Sequence, residues 1–391
     1  MVGFEMLVTG VAGVRWSIPL LLAPPAAFGI ASLAGGRSRL APYRSRPAAA
    51  WLASAAVFLL LVAYAAATAR ATSPDLVLFW GAKGERFALA RGIDVAFLAR
   101  PANYLMHPDY PPLLPFVEAF ATMFAGRFAW GASLFLMPWF LGITGAIFHA
   151  AALRRLENAR AAAALTAIFV GTLGLADLVS ATAGSADGLL VAFETAALAS
   201  LSAIGSRRLS EWTAGLCLAA AGLAKIEGVF FAAIVAFAAV ALTRSSWRSR
   251  ATSAWHLATA PALAFGTWLL FCRAHRLVAM YRADVFGAPT LRFLPRILSV
   301  MGRTASYDHA YVPWLALAAS AWAFRRFGFA AVPVAAAGLF LAADVGFYLN
   351  GNSDPSMWVG WSSARTLTTV LACGFLSIGR TAIAGESRIM A

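Results

Sequence analysis

Residues 212–243 read WTAGLCLAAAGLAKIEGVFFAAIVAFAAVALT, and the only charges in the stretch are Lys225 and Glu227. Ionisable groups are costly inside a bilayer. The run therefore reads as two apolar helices, 212–225 and 228–243, with Gly228 allowing a tight reversal and the Lys-x-Glu pair at one membrane face. This hairpin decides the fold class, because apolar stretches of about 18 residues or more recur along the whole chain. The remaining spans are 16–36, 48–69, 128–152, 161–179, 187–205, 254–272, 312–324, 329–347 and 364–380.

Composition agrees. Of 391 residues 61% are hydrophobic and 12% charged, with mean hydropathy +0.74. Soluble domains run at about 45–50% apolar and about 25% charged. The expectation is an all-α polytopic membrane protein of about 11 transmembrane helices, forming a single domain over 1–391 without internal repeats. No segment reads as a cleaved signal peptide. Cys217, Cys272 and Cys373 fall in apolar runs with neither disulfide nor metal-ligand spacing.

The net charge of +14 does not point to nucleic acid, because its distribution follows the membrane. Arg37, Arg39, Arg44 and Arg46 form one basic loop. Arg154, Arg155 and Arg160 form the next, followed by Arg207 and Arg208, by Arg244, Arg248 and Arg250, and by Arg325 and Arg326. Every second short loop is basic, the positive-inside pattern. The loops on the other side are 70–127, 180–186, 226–227, 273–311 and 348–363. The N-terminus is then outside and the C-terminus inside.

The acids collect on the outer side. Asp75, Glu85, Asp94, Asp109 and Glu118 lie in the first long loop, and Asp187 opens a span. Ser73 and Pro74 fit the start of a helix with Asp75 in its first turn, running to Arg91 and ended by Gly92. Trp80 lies on this helix, and Lys83 and Arg86 share a face of it. Such a helix would also serve as an interfacial one with snorkelling cations. The chain, however, has two lysines among its 31 basic residues. Both stand beside outer acids, in AKGE (82–85) and AKIEG (224–228). Asp187 also complements the helix dipole without any further role. The loop 273–311 carries Arg273, Arg276, Arg282, Arg292, Arg296 and Arg303, and the last span begins near Trp361 and Arg365. Guanidinium groups match phosphate bidentately, so an anionic partner is expected, lipid headgroups among the options. In HPDYPP (107–112), Pro111 and Pro112 keep His107, Asp109 and Tyr110 out of a helix.

The order of these features resembles a known family. Asp75 just after a span, the Trp80…Lys83 helix, HPDYPPLLP, the span-opening Ala186-Asp187, the Lys225-x-Glu227-Gly turn and the late Trp361…Arg365 resemble bacterial GT-C glycosyltransferases. The group is the dolichyl-phosphate-mannose-protein mannosyltransferase-like one, glycosyltransferase family 39 and relatives, and the resemblance covers roughly 48–370. It implies a GT-C bundle with membrane-parallel helices in the first outer loop, span 16–36 being extra. It implies inverting transfer of a sugar from a polyprenyl-phosphate donor to a hydroxyl acceptor (protein, lipid or glycan) on the periplasmic face of a bacterial inner membrane.

Under this resemblance Asp75 is the general base. Many members carry a second acid directly after it; here that position is Leu76, and Asp187 would supply the second carboxylate. Lys83, Arg86, Lys225, Arg282, Arg292, Arg296 and Arg365 would hold the donor phosphate. Trp80, His107, Asp109, Tyr110, Glu227 and Trp361 would shape the loops or meet the acceptor. A divalent metal on Asp75, His107, Asp109 and Asp187 stays open. Two other classes remain: a lipid transporter or flippase, which often shows internal repeats, and a non-catalytic lipid-binding assembly protein.

Overall fold

The computed structural model describes residues 1–35, 55–56, 59, 63, 74–134, 136–156, 159–174, 184–201, 207–242, 246–277, 291–308, 314–315, 318, 331–349 and 356–389. Among them every regular element is helical and there is no strand. The principal helices are α1 (Val2–Val11), α2 (Ile18–Gly35), α3 (Gly81–Ala90), α4 (Leu113–Ala125), α5 (Leu136–Leu156), α6 (Ala159–Leu173), α7 (Asp187–Leu201), α8 (Arg207–Ala224), α9 (Ile226–Leu242), α10 (Trp247–Ala274), α11 (Leu294–Arg303), α12 (Ala331–Leu349) and α13 (Ser356–Ile389).

Two stretches among the described residues are long and apolar enough to cross a membrane, α10 and Val332–Leu349 of α12. Shorter apolar helices accompany them. Large apolar side chains face outward around the bundle: Trp247, Trp255, Leu263 and Leu270 down α10, Phe237 on α9, Ile168 on α6 and Trp139 on α5 are all more than half exposed. Water tolerates such a surface poorly, whereas lipid covers it.

Among the described residues two large apolar cores stand out, with smaller clusters beside them. One joins α5, α6, α7, α8, α9, α12 and α13 around Phe148, Phe169 and Phe231. The other joins α1, α3 and α4 to α10 and the end of α8. Trp16 anchors the second core, meeting Phe116 and Phe87 edge-on at 5.5 and 6.4 Å. The α8–α9 reversal falls at Lys225–Gly228, where the expected turn was placed. Gly228 is required there, because a Cβ at this position would stand 2.1 Å from the Ala221 carbonyl oxygen.

Some expectations change. The first-loop helix opens as a widened turn, Asp75–Trp80, in which the Gly81 N–H reaches back to the Leu76 carbonyl. Its end is set by Arg91, not Gly92. Arg91 adopts the left-handed region (φ 50°), and the Gly92 N–H closes on the Phe87 carbonyl at 3.1 Å. The Arg91 carbonyl then accepts the Trp16 N–H at 2.8 Å, so contact with the N-terminal segment accompanies the bend. Residues 2–11, given no element in the sequence reading, form α1, with Met6 and Leu7 buried. The loop 273–311 is partly helical: α11 buries Ile297 and Met301 against Tyr348, Leu349 and Val359. The spans 48–69 and 312–324 lie almost wholly outside the described residues.

Candidate functional site

Four elements deliver an ion network at one end of the bundle. The widened turn brings Asp75, the first residue of α7 is Asp187, the α8–α9 reversal holds Lys225 and Glu227, and α13 carries Arg365. The Arg365 Nη1 is 2.9 Å from Asp75 Oδ2 and 3.7 Å from Asp187 Oδ2. The Lys225 ammonium is 2.9 Å from Asp187 Oδ1 and 2.8 Å from Glu227 Oε1. Ser185 donates to Asp187 Oδ2 at 2.7 Å. Five residues spread over 290 positions of sequence thus make one linked cluster.

The charges do not cancel. Three carboxylates face two cations, a net of −1 when all are ionised. Asp187 is fully occupied by Ser185, Lys225 and Arg365, so it orders the cations and has no oxygen to spare for a proton. Asp75 differs: among the described residues only its Oδ2 is bonded, and its side chain is a quarter exposed. Burial raises its carboxyl above the usual aspartate value, against the pull of Arg365. A carboxylate with one open oxygen and strengthened basicity is suited to take a proton. Two further atoms stay unmatched among the described residues, Arg365 Nε and Glu227 Oε2, both shielded from solvent.

Lys83 belongs to a different cluster. It is buried, donates to the His107 carbonyl at 3.2 Å and sits 4.7 Å over the Trp80 ring. Burial drives its amine down to about 7, against the carboxylates of Asp109 and Glu118. Burial, with Lys83 beside it, pushes His107 down to about 4, so that imidazole is neutral. Glu118 is buried with neither oxygen bonded among the described residues, and burial raises its carboxyl well above the usual range. The HPDYPP loop is pinned from α10, where Trp268 Nε1 donates to the Asp109 carbonyl at 2.8 Å. Tyr110 stacks on Trp80 at 5.8 Å and packs on His107 at 4.6 Å.

The expected phosphate ligands separate. Lys225 and Arg365 reach the network; Lys83 does not pair with it. Arg86 is spent locally, 2.6 Å from Asp94 and over the Phe97 ring, where Asp94 caps the next turn. Arg292 lies over Phe293 at 4.8 Å, and Arg296 is exposed on α11. Arg282 lies outside the described residues, and Trp361 falls in the first turns of α13. A metal held by Asp75, His107, Asp109 and Asp187 does not fit: Arg365 stands between the first and last, and among the described residues no three His, Cys, Asp or Glu side chains converge as ligands.

Sequence reading missed two acids nearby, one buried and one half-buried. Glu194, fully buried, accepts from Thr369 at 2.7 Å, and Asp344 accepts from Thr366 at 2.9 Å. The signal was present, since each is a lone acid inside an apolar run, and Glu194 follows Asp187 by seven residues, two turns along one face. At the opposite end of α8, Glu211 accepts from Ser253 at 2.7 Å and meets His256 Nδ1 at 2.9 Å, clamping α8 to α10.

Compared with protein-family models, characterised proteins and solved structures, the chain matches none.

Proposed function

We propose that the chain is a polytopic membrane glycosyltransferase, a bundle of about eleven spans of GT-C type. It would move a sugar from a polyprenyl-phosphate donor to a hydroxyl acceptor on the outer face of a bacterial inner membrane. The observation that carries this reading is the Asp75–Arg365–Asp187–Lys225–Glu227 network, which gathers a basic carboxylate and two fixed cations at one end of the bundle.

The chemistry follows from the charges. The acceptor oxygen attacks the anomeric carbon opposite the phosphate. Its proton passes to Asp75 Oδ1, and the carbon–oxygen bond to phosphate breaks with the electron pair leaving on phosphate. Protonating Asp75 takes one negative charge from the network and loosens its hold on Arg365. Arg365 is then free to meet the phosphate as that group gains charge, which is stabilisation specific to the transition state. Asp187 and Glu227 keep Lys225 charged and in place.

The test is transfer by the purified chain in detergent, offered radiolabelled polyprenyl-phosphate hexoses and pentoses together with an envelope extract as acceptor. Asp75→Asn is expected to lower transfer by roughly 100-fold or more, the scale of a lost general base, while donor binding persists. Near-normal turnover by this variant rejects Asp75 as the base. No transfer by the wild-type chain with any donor, but movement of labelled lipid between leaflets, favours a transporter.

A further inference from the structure

Two donors converge on one carbonyl. His107 O accepts the Tyr110 N–H at 3.0 Å and the Lys83 ammonium at 3.2 Å. His107 holds this turn in the left-handed region, φ 49°, where a side-chain-bearing residue is rarely at ease. The turn is therefore held by its partners and not by its own preference. Lys83 supplies one from α3, and Trp268, through the Asp109 carbonyl, supplies another from α10.

What the turn presents is Tyr110. Its ring is fixed between His107 and Trp80, and Trp80 is the last residue of the widened turn that carries Asp75. Its hydroxyl makes no hydrogen bond among the described residues. Burial pushes the phenol above its usual range, so it is a neutral donor. Lys83 itself is too buried to touch a ligand at the network.

We propose that Lys83 is a positioning residue: by gripping the His107 carbonyl it holds Tyr110 on Trp80, at the end of the turn whose Asp75 pairs with Arg365, and from there the phenol donates a hydrogen bond to the phosphate of an isoprenoid-phosphate ligand. The assignment rests on the glycosyltransferase reading and gives Lys83 an indirect role in place of a direct phosphate contact. An added neutral donor suits a network of net −1, because it binds an oxyanion without needing another counter-charge.

The test uses the full chain in detergent with farnesyl phosphate, and farnesol as the ligand lacking phosphate. Tyr110→Phe keeps the stack and removes one hydroxyl. It should weaken farnesyl phosphate binding about 10-fold or more, the scale of a hydrogen bond to a charged group, and leave farnesol binding unchanged. Lys83→Met should do the same, and the double variant should bind no worse than Lys83→Met, because both act through one contact. Additive losses, or equal losses for farnesol, overturn the positioning role and leave Lys83 as a packing residue. Tyr110→Phe binding farnesyl phosphate like wild type overturns the donor role. If the wild-type chain binds farnesol and farnesyl phosphate equally, the isoprenoid-phosphate reading falls with the proposal. Tyr110→Phe, being nearly isosteric, keeps the question open to measurement if Lys83→Met fails to fold.

Discussion

Lys225 carries two carboxylates on one ammonium, deep in an otherwise apolar bundle. Removing it takes the cation from Glu227 and leaves Asp187 with Arg365, 3.7 Å away, as its remaining counter-charge among the described residues. Breaking a buried pair from one side costs roughly 3–5 kcal/mol. Lys225→Met should therefore lower the thermal midpoint in detergent strongly, and Asp187→Asn added to it should recover part of the loss. Additive losses would mean the two residues do not act as a pair. Lys83 makes a pH prediction. Its folded value, about 7, lies below the ordinary 10.5 because burial penalises the charged form. Between those values the unfolded chain binds more protons, so this group makes stability rise with pH and costs most below pH 7. Asp109, Glu118 and His107 face the same amine: burial raises both carboxyls, and His107 lies at about 4, below this window. Unfolding of wild type and Lys83→Met compared from pH 7 to 10 should show a rise that the variant lacks; parallel curves would refute a buried, depressed lysine. At this scale the sequence singled out the five charged residues that the structure brings into one network, and did not show how the other named residues pair. Asp75, Asp187, Lys225, Glu227 and Arg365 are lone charges beside apolar runs and are visible as such. That Arg86 is absorbed by Asp94, or that Lys83 faces a backbone carbonyl, depends on side-chain direction, which spacing does not encode.

Gly228 shows how an element boundary fixes the site. A Cβ there would lie 2.1 and 2.3 Å from backbone atoms of Ala221, which cannot step aside without opening the α8–α9 corner. A Cβ on Gly222, on the same helix pair, would come no closer than 3.4 Å, to Val229 Cγ2. Gly228→Ala is thus expected to destabilise by about 1–3 kcal/mol or more, in the manner of overpacking, and to displace Lys225 and Glu227. Gly222→Ala should be close to neutral. Equal thermal midpoints for the two would remove the argument that backbone contact sets this corner. The corner, and the starts of α7 and α9, were legible because apolar runs end where charge or glycine begins. α1 was not, since ten residues with one acid carry too little pattern to separate a short helix from a leader to the next span. α11 was hidden by its arginines: it is held by Ile297 and Met301, two apolar residues four apart, inside a loop read for its charge. The widened turn at Asp75 also has no sequence signal, although such turns often mark functional positions.

Across the whole molecule, charge and apolar surface are sorted along the helix axes. α10 begins beside Arg248 and Arg250 and ends where Trp268 grips the HPDYPP loop, so its two ends mark a basic face and a site face. Its 28 residues span about 42 Å at 1.5 Å each, enough to cross a hydrocarbon layer of about 30 Å. α8 runs the same way, from Arg207 to the Lys225 turn. If short basic loops stay in the cytoplasm, the site face is outside, as a polyprenyl-phosphate reaction on the outer leaflet requires. On that orientation Ala102, exposed on the turn before HPDYPP, and Ala251, exposed on the first turns of α10, are expected on opposite sides. Cysteine placed singly at each position gives a direct reading against a background in which Cys272 and Cys373 are buried. Ala102→Cys should react with a membrane-impermeant maleimide in intact cells, and Ala251→Cys only after permeabilisation. The reverse labelling would put the ion network on the cytoplasmic side, where nucleotide-linked sugars and not polyprenyl-linked ones would be the accessible donors. Labelling of both sites in intact cells would mean that α10 does not cross the membrane.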